Sequence, residues 1–254
     1  MKKIVILTGA GMSAESGIST FRDSNGLWEN YRIEDVATPE GFMKNPQLVL
    51  DFYNHRRREL LNTQPNAGHR GLADLEKDFE VHIITQNVDN LHEQAGSTHV
   101  IHLHGELMKS CSVKNLNRPY DISPEQPDLH VGDKAPDGGQ LRPFIVWFGE
   151  PVPKIEEAIR YVEDCDIFVV IGTSLNVYPA AGLLNYVRPL IDLLNINKPI
   201  KAWAQNADNA PVNKTSFPKY FLLFLSLFSL YIVKTLKPII IVPNTNIINP
   251  IRPK

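Results

Sequence analysis

An apolar run followed at once by closely spaced glycines is the feature that most constrains the fold of this chain. Residues 3–8 read Lys-Ile-Val-Ile-Leu-Thr, and Gly9, Gly11 and Gly17 follow them. A strand that ends in glycines and opens into a helix holds a pyrophosphate well, because glycine lets the backbone approach the phosphates and a helix N-terminus offers free N–H groups. The spacing departs from G-x-G-x-x-G at the third glycine. The segment alone therefore indicates either a nucleotide loop or an ordinary strand–turn–helix connection.

Four apolar runs lack the polar alternation of a half-exposed strand. They are Ile4–Leu7, Val81–Ile84, Phe144–Phe148 and Ile167–Ile171. Runs of this kind are typical of parallel strands that helices cover on both faces. They predict four buried parallel strands.

Helical patterns separate these runs. Pro153 suits the first turn of a helix that continues to Glu163, in which apolar residues recur at helical spacing: Ile155, Ala158, Ile159 and Val162. Asn45 and Pro46 open another helix that ends near Leu61. The alternation of strands and helices predicts an α/β fold with a doubly wound, Rossmann-like parallel sheet.

Polar and small residues follow three of the predicted strands at the point where each strand ends. They are Gly9-Ala10-Gly11, then Gln86, Asn87 and Asp89, then Gly172-Thr173-Ser174. In open α/β sheets, ligands collect at the carboxyl ends of the strands. We therefore expect the three groups to meet in one crevice.

Five motifs also occur in the order found in one protein family. They are Gly-Ala-Gly-Met-Ser-Ala-Glu-Ser-Gly-Ile-Ser-Thr-Phe-Arg at 9–22, Thr-Gln-Asn-Val-Asp-Asn at 85–90, His-Leu-His-Gly-Glu at 102–106, Phe-Gly-Glu at 148–150, and Gly-Thr-Ser-Leu-Asn-Val-Tyr-Pro at 172–179. From about Lys3 to Gly182 the chain resembles the sirtuins, the NAD-dependent protein deacylases. The resemblance implies NAD as the cofactor and the acylated lysine side chains of proteins as the substrate.

The resemblance further implies which residues bind NAD: Gly9, Ala10, Gly11, Ser13, Phe21, Arg22, Gln86, Asn87, Val88, Asp89, Gly172, Thr173 and Ser174. In the family, the loop that carries Phe21 and Arg22 covers the nicotinamide end, and Phe21 shields the reactive carbon from water. The family usually has proline where this chain has Ser19, and loss of that restraint is expected to loosen the loop. For Ser13, Thr173 and Ser174, helix capping is an alternative role that is compatible with phosphate binding.

The catalytic residues that the resemblance implies are His104, Asn87 and Asp89. A ribose hydroxyl needs a base, and a histidine with a pKa of about 6.5 offers a neutral imidazole at neutral pH. Asn87 suits the ribose hydroxyls and Asp89 the nicotinamide carboxamide. Residue types alone also allow His104 to be a packing histidine and the other two to be turn residues. His102 is interpreted as structural.

The acyl-binding residues are predicted on the helix after Asn45. Tyr53 and Arg56 lie three residues apart and hence on one helical face, where they suit a distal carboxylate. This Tyr-x-x-Arg pattern resembles the sirtuin subgroup that removes succinyl and malonyl groups from lysine. The alternative is that residues 56–58 form a solvated basic face. Phe148, Gly149 and Glu150 are expected to line the peptide channel, to which Val146 or Trp147 contributes.

Residues 111–142 are rich in Pro, Asp, Gly and Asn, and predict an irregular excursion from the sheet. Many sirtuins carry a zinc ribbon there, but Cys111 is the one cysteine in this stretch, so we expect no metal site. Asp128 and His130 are interpreted as part of a solvated loop. Packing of four side chains is expected to hold this small module, which spans about 24–65 and 111–142: Leu116, Tyr120, Ile122 and Leu129.

Composition is that of a globular protein. The chain has 254 residues, 43% of them hydrophobic and 21% charged, with a net charge of −2. Nothing in this balance indicates nucleic acid as a partner. The two cysteines, Cys111 and Cys165, form no disulfide framework, and the first strand begins too early for a signal peptide. We therefore expect a cytoplasmic monomer.

The C-terminal part departs from this pattern. No acidic residue follows Asp208, and the family's further strand, Asn-containing loop and last helix are not recognisable beyond about Arg188. The uncharged run Tyr220–Val233 is shorter than the roughly 20 residues that span a bilayer. We therefore assign residues 1–200 to an NAD-binding catalytic domain and 201–254 to an irregular tail. The tail reads as a lineage-specific anchor, a poorly packed extension or the product of a shifted reading frame.

These observations predict an NAD-dependent protein-lysine deacylase that removes succinyl, malonyl and acetyl groups. The acyl group passes to ADP-ribose, and nicotinamide is released. A non-catalytic NAD- or ADP-ribose-binding protein, disabled by the altered C-terminal region, is the alternative. A protein ADP-ribosyltransferase on the same scaffold is a further one.

Overall fold

The computed structural model describes residues 1–19 and 31–188, together with the backbone of two short strands beyond them. Its strands are β1 (Lys3–Thr8), β2 (Glu80–Thr85), β3 (Val100–His102), β4 (Gly105–Ser112), β5 (Asn115–Asp121), β6 (Leu141–Ile145), β7 (Ile167–Ile171), β8 (Asp192–Ile196) and β9 (Ile240–Ile241). Its α-helices are α1 (Ile33–Val36), α2 (Pro39–Lys44), α3 (Pro46–Leu61), α4 (Ala67–Asp74), α5 (Leu91–Gln94) and α6 (Ile155–Glu163).

The main sheet has the strand order β3-β2-β1-β7-β8-β9. The pairs from β3 to β8 are parallel, and β9 runs antiparallel to β8. Strand β1 lies between β2 and β7, with Ile6 opposite Ile83 on one side and Val169 on the other. The predicted parallel, doubly wound sheet is thus confirmed.

Both faces of β1 are buried, which explains why its sequence is apolar without alternation. Ile4 and Ile6 pack on one face with Leu72 of α4. Val5 and Leu7 pack on the other face with residues of α6, including Ala158 and Val162. Successive strand residues point to opposite faces, so a strand covered on both sides needs apolar side chains throughout.

The prediction of a fourth parallel strand at Phe144–Phe148 was wrong. The strand is β6, which ends at Ile145 and pairs antiparallel with β4 in a separate sheet of order β5-β4-β6. An apolar run indicates that a strand is buried but not in which direction it runs, so the run alone did not distinguish a parallel from an antiparallel strand. The predicted irregular excursion over 111–142 likewise contains the β4–β5 hairpin and the start of β6.

The core of this small module was predicted in part. Ile122 and Leu129 are buried in a cluster with side chains of α3. Leu116 is 40% exposed, and Tyr120 is half-buried. The error arises because β5 is an edge strand whose side chains mostly face solvent.

Helix α3 forms as its sequence predicts. The Asn45 side chain caps it by accepting a hydrogen bond from the Leu48 N–H group at 3.1 Å, and Pro46 occupies the first turn. The predicted helix after the glycines of β1 is different: two short 3-10 turns, Ala10–Met12 and Ala14–Ser16, follow the strand.

The predicted tail falls almost entirely on residues outside the described ranges. The tail, 201–254, including the run Tyr220–Val233, lies outside them except for the backbone of β9. Within the described part of the chain, the helices are too short or too polar to cross a membrane.

Candidate active site

A cavity of about 510 Å³ opens where β1, β2 and β7 end. Fifteen residues that the sequence assigns to NAD, catalysis or substrate line it: Gly9, Ala10, Gly11, Tyr53, Arg56, Gln86, Asn87, Val88, His104, Val146, Phe148, Gly149, Gly172, Thr173 and Ser174. Helix α3 and the small module close one end, and the strand loops form the other. The structure thus brings the three predicted loop groups together with the Tyr-x-x-Arg pair.

The glycines let the loops after β1 and β7 pack on each other. A Cβ on Gly11 would lie 2.9 Å from the Gly172 Cα, and one on Gly9 would lie 2.6 Å from the Thr173 Cβ. The Gly11 N–H group donates to the Gly172 carbonyl at 2.8 Å, and Gly172 has a φ of +64°. Side chains at these positions would separate the two loops that form the floor of the cavity.

His104 is held in one tautomer. Its Nδ1 lies 3.1 Å from the Gln86 carbonyl oxygen, which only accepts hydrogen bonds. Nδ1 therefore carries the proton, and Nε2 keeps its lone pair. Burial lowers the pKa of His104, while the hydrogen bond to Gln86 opposes this shift. The imidazole is neutral at neutral pH, as a general base must be.

His102 has the structural environment that we expected. Its Nδ1 lies 3.0 Å from the Asn87 carbonyl oxygen and its Nε2 lies 2.7 Å from the Glu93 carboxylate. Burial lowers the pKa of His102, but the contacts with Glu93 and Asn87 outweigh it and raise the pKa overall. This buried pair fixes the segment that carries Asn87.

A chain of hydrogen bonds orients Asn87. The Ser13 hydroxyl donates to Asp89 Oδ2 at 3.0 Å, so the Ser13 oxygen accepts from Asn87 Nδ2, also at 3.0 Å. This sequence of donors identifies the Asn87 atom that faces Ser13 as the amide nitrogen. The Leu91 N–H group donates to Asp89 Oδ1 at 3.2 Å.

Asp89 and Ser13 lie behind Asn87 and are not among the described residues that line the cavity. Burial raises the pKa of Asp89, and the hydrogen bonds from Leu91 and Ser13 oppose the shift. Because the Ser13 proton points to Asp89, this hydroxyl acts here as a connector. Direct contacts of Ser13 with a phosphate and of Asp89 with a carboxamide stay predictions.

Two buried histidines under this network were missed by the sequence reasoning. Asn66 caps α4, and its backbone N–H group donates to His69 Nδ1 at 3.3 Å. Because Nδ1 accepts this bond, the ring proton is on Nε2, which lies 3.4 Å from the Ser13 hydroxyl. His92 Nε2 lies 3.1 Å from the Thr8 hydroxyl. Burial lowers the pKa of His69 to about 4. The Asn-x-x-His capping pattern was the one available signal.

Tyr53 and Arg56 are both buried where α3 borders the cavity. Desolvation raises the pKa of Tyr53 and lowers that of Arg56, and the attraction between the Arg56 charge and ionised Tyr53 opposes both shifts. A guanidinium stays charged in proteins, so the pair combines a neutral phenol with a cation.

The alternative of a solvated basic face is wrong for two of the three arginines. Arg56 is 8% exposed, and Arg57 is fully buried, where its guanidinium donates to Asn54 and to the Pro127 carbonyl. Arg58 is exposed and pairs with Asp128. Arg57 therefore supports the fold, and Arg58 is the residue suited as a surface control.

A buried ion pair supports the wall formed by residues 146–150. The sequence did not predict this pair. Arg142 contacts Glu150 Oε1 at 2.6 Å and Oε2 at 3.0 Å, and its guanidinium lies 3.4 Å from the centre of the Trp147 ring. Glu150 Oε2 also accepts from the Trp147 N–H group at 2.8 Å. The Val146 N–H group donates to the His104 carbonyl at 3.0 Å, which joins this wall to the segment that carries His104.

Phe21 and Arg22 lie outside the described residues. Cys111 and Cys165 are free and buried. In the described ranges, no group of three or more His, Cys, Asp or Glu side chains is placed to hold a metal ion.

Comparison with known proteins identifies the family. The Sir2 family profile matches residues 9–179, which include all of the loop and wall residues described above. The chain belongs to the Sir2 family.

Two curated relatives are similar to this chain over the same part of it. An NAD-dependent protein deacylase of Bacteroides thetaiotaomicron is 65% identical over 190 residues, 74% of this chain and 81% of the relative. One from Helicobacter pylori is 57% identical over 186 residues, 73% of this chain and 80% of the relative.

Solved Sir2 structures share the fold. A Sir2 homologue in complex with NAD has a TM-score of 0.69 and 44% identity, over 77% of this chain and 78% of that one. A Sir2 protein with a deacetylated p53 peptide and 3'-O-acetyl ADP-ribose has a TM-score of 0.64 and 35% identity, over 76% of this chain and 81% of that one.

Proposed function

We propose that this member of the Sir2 family is an NAD-dependent protein-lysine deacylase that prefers acyl groups ending in a carboxylate. Succinyl-lysine and malonyl-lysine are the preferred substrates, and acetyl-lysine is accepted. The acyl group passes to ADP-ribose, with release of nicotinamide and free lysine. The observation that carries the specificity is that Tyr53 and Arg56 line the same cavity as His104 and the glycine loops.

The described residues fit NAD at its nicotinamide and pyrophosphate end. The loops at Gly9–Gly11 and Gly172–Ser174 present backbone and small side chains to the cavity, as a pyrophosphate requires. Asn87 and Gln86 offer amides beside them, and Gln86 Nε2 is held by the Thr173 hydroxyl at 2.9 Å. When bound, NAD supplies a C–N bond to nicotinamide that breaks under attack by a weak nucleophile.

His104 is the base of this proposal. The Gln86 carbonyl accepts a hydrogen bond from the Nδ1–H group, which keeps the proton on Nδ1 and leaves the Nε2 lone pair to accept a proton from a ribose hydroxyl. The proton stays on Nε2 until it passes to solvent or to the departing product. Burial keeps the resting imidazole neutral, so the base is ready at neutral pH.

Asn87 and Asp89 position the ribose and the carboxamide. The Ser13 hydroxyl links the two side chains, so that neither can rotate without breaking a buried hydrogen bond. Loss of a buried partner costs about 1–3 kcal/mol, which keeps this arrangement in place before the ligand arrives. Catalysis gains when the groups that meet the ligand are fixed in advance.

The acyl end binds a carboxylate by charge and hydrogen bonding. The Arg56 guanidinium compensates the negative charge of a succinyl or malonyl group, and the Tyr53 hydroxyl donates to it. An acetyl group reaches neither side chain and gains nothing from them. The substrate backbone lies along Val146, Phe148 and Gly149 as an added strand. A cytoplasmic, monomeric enzyme is part of the proposal.

Incubation of one peptide carrying succinyl-, malonyl- or acetyl-lysine with the full chain and NAD tests the proposal. Mass spectrometry is expected to show loss of all three acyl groups, fastest for the two acidic ones, together with acyl-ADP-ribose. Equal rates for the three peptides would remove the acidic preference. Binding of NAD without turnover of any peptide would instead support the non-catalytic alternative.

A further inference from the structure

The hydroxyl of Tyr53 has a partner outside the acyl group. The Trp147 indole Nε1–H group lies 3.1 Å from it, although the two residues are 94 positions apart in the chain. Both side chains are almost fully buried, with exposures of 4% and 2%. A hydrogen bond in such a place is shielded from water and holds both rings in one orientation.

The chemistry of the two groups sets the direction of this bond. The indole N–H can only donate, so the Tyr53 oxygen accepts. The phenolic proton must then point elsewhere, and in the described part of the chain no protein acceptor takes it. Since burial raises the pKa of Tyr53, the phenol keeps that proton at neutral pH. The cavity thus faces a hydroxyl that is oriented to donate.

Trp147 is itself held from its other sides. The Arg142 guanidinium covers its ring face at 3.4 Å, and Glu150 accepts from its backbone N–H group at 2.8 Å. The Phe42 ring packs against it with a centroid distance of 5.3 Å. Little rotational freedom is left to the indole, so its N–H group stays directed at Tyr53.

We infer that Trp147 is a positioning residue for acyl selectivity: its indole N–H occupies the acceptor side of Tyr53 and thereby presents the phenolic proton to the distal carboxylate of the acyl-lysine. This inference rests on the proposed function, because it needs an acidic acyl group in the cavity. The same arrangement disfavours acyl groups whose far end is a hydrogen-bond donor, since they would meet the Tyr53 proton and the Arg56 charge.

The test is Trp147→Phe, which keeps an aromatic ring and removes only the N–H donor and part of the ring system. We expect the KM for a succinyl-lysine peptide to rise about five- to tenfold, because one well-oriented hydrogen bond is lost. The kcat should stay nearly unchanged. The kcat/KM for the acetyl-lysine peptide should fall less, so that the succinyl-to-acetyl ratio drops, because the acetyl group does not reach Tyr53. Phe42→Leu loosens the same aromatic cluster without removing a donor, and should leave the succinyl-to-acetyl ratio at its wild-type value.

A double-mutant comparison separates positioning from packing. Tyr53→Phe should show the same selective loss, and Trp147→Phe added to it should cause no further change in the ratio. NMR of protein with ¹⁵N-labelled tryptophan gives a reading without turnover. The indole N–H resonance that disappears in Trp147→Phe should shift in Tyr53→Phe, and should shift in wild type when succinyl-lysine peptide is added without NAD.

The outcomes are distinct. Equal losses for succinyl- and acetyl-peptides in Trp147→Phe, or additive effects in the double variant, would show that Trp147 only packs and would overturn this inference alone. A wild-type enzyme without preference for succinyl-lysine would overturn both the inference and the proposed specificity. An unchanged ratio in Phe42→Leu with a reduced ratio in Trp147→Phe supports the inference.

Discussion

The two ends of the cavity are built on different physical terms. The nucleotide end consists of backbone and neutral side chains at the ends of parallel strands, where the Gln86 carbonyl orients His104 and the Ser13 hydroxyl orients Asn87. The acyl end contains the buried Arg56, and the buried Arg142 lies behind its wall against Trp147 and Glu150. The first is brought together by the ends of parallel strands, whereas the second depends on buried side-chain contacts such as Arg142 with Glu150 and Trp147 with Tyr53.

This difference predicts different consequences of mutation. A change at the nucleotide end removes a group that acts on the ligand and should leave the sheet intact. A change at the acyl end alters the balance of buried charges, so it should affect stability or selectivity according to which partner remains.

The largest effect is expected for the base. His104→Tyr should lower kcat for any acyl-lysine peptide by about 10²- to 10⁴-fold, because a general base contributes a factor of that size. NAD binding, measured by calorimetry, should persist, since the loops that hold the pyrophosphate are unchanged. His55→Tyr, on the exposed face of α3, is the matched control and should keep wild-type turnover. Near-normal activity of His104→Tyr would refute the assignment.

The next effect concerns the buried ion pair. Arg142→Met leaves the Glu150 carboxylate without its partner, and the free energy of unfolding in urea should fall by about 3–5 kcal/mol. Adding Glu150→Gln removes the uncompensated charge and should restore part of the loss. If the double variant is less stable than Arg142→Met, the pair contributes more than mutual charge compensation.

A pH effect is expected at the nucleotide end. His69 has a pKa of about 4 in the folded protein, because burial disfavours its charged form, against 6.5 when exposed. The unfolded chain therefore binds an extra proton between these values, so the stability that His69 contributes is complete above pH 6.5 and is lost as the pH falls toward 4. The loss amounts to about 3 kcal/mol. Urea unfolding of His69→Gln should depend less on pH in this window, and an unchanged dependence would contradict the prediction.

The sequence predicted the nucleotide end better than the acyl end, for a physical reason. Strand ends meet at one edge of a parallel sheet, so Gly9, Asn87 and Gly172 could be brought together without knowing any side-chain contact. Contacts such as Trp147 with Tyr53 depend on how a separate sheet packs against α3, and neither spacing nor composition reports that packing. The same limit caused the wrong direction assigned to the strand at Phe144–Phe148.

Some details of the fold were likewise beyond the reach of sequence patterns. Helix α3 was located within a residue at both ends, because Asn45 and Pro46 form a strong local start signal. Strand β3 was not predicted, since three residues are too few for a pattern. The buried state of Arg57 was missed because three consecutive arginines ordinarily indicate a solvated surface.

The smallest effect separates the acyl end from the fold that supports it. Arg56→Met should lower kcat/KM for succinyl-lysine about ten- to a hundredfold, because a buried carboxylate loses a charge-assisted hydrogen bond. Activity on acetyl-lysine should change little, since the acetyl group carries no charge to compensate. Arg58→Met is the control, because Arg58 lies on the same helix but pairs with Asp128 at the surface. Parallel kinetics on the two peptides decide the matter: if Arg56→Met lowers both activities equally, Arg56 stabilises α3 in the way that Arg57 does, and the acyl end recognises its substrate by shape and not by charge.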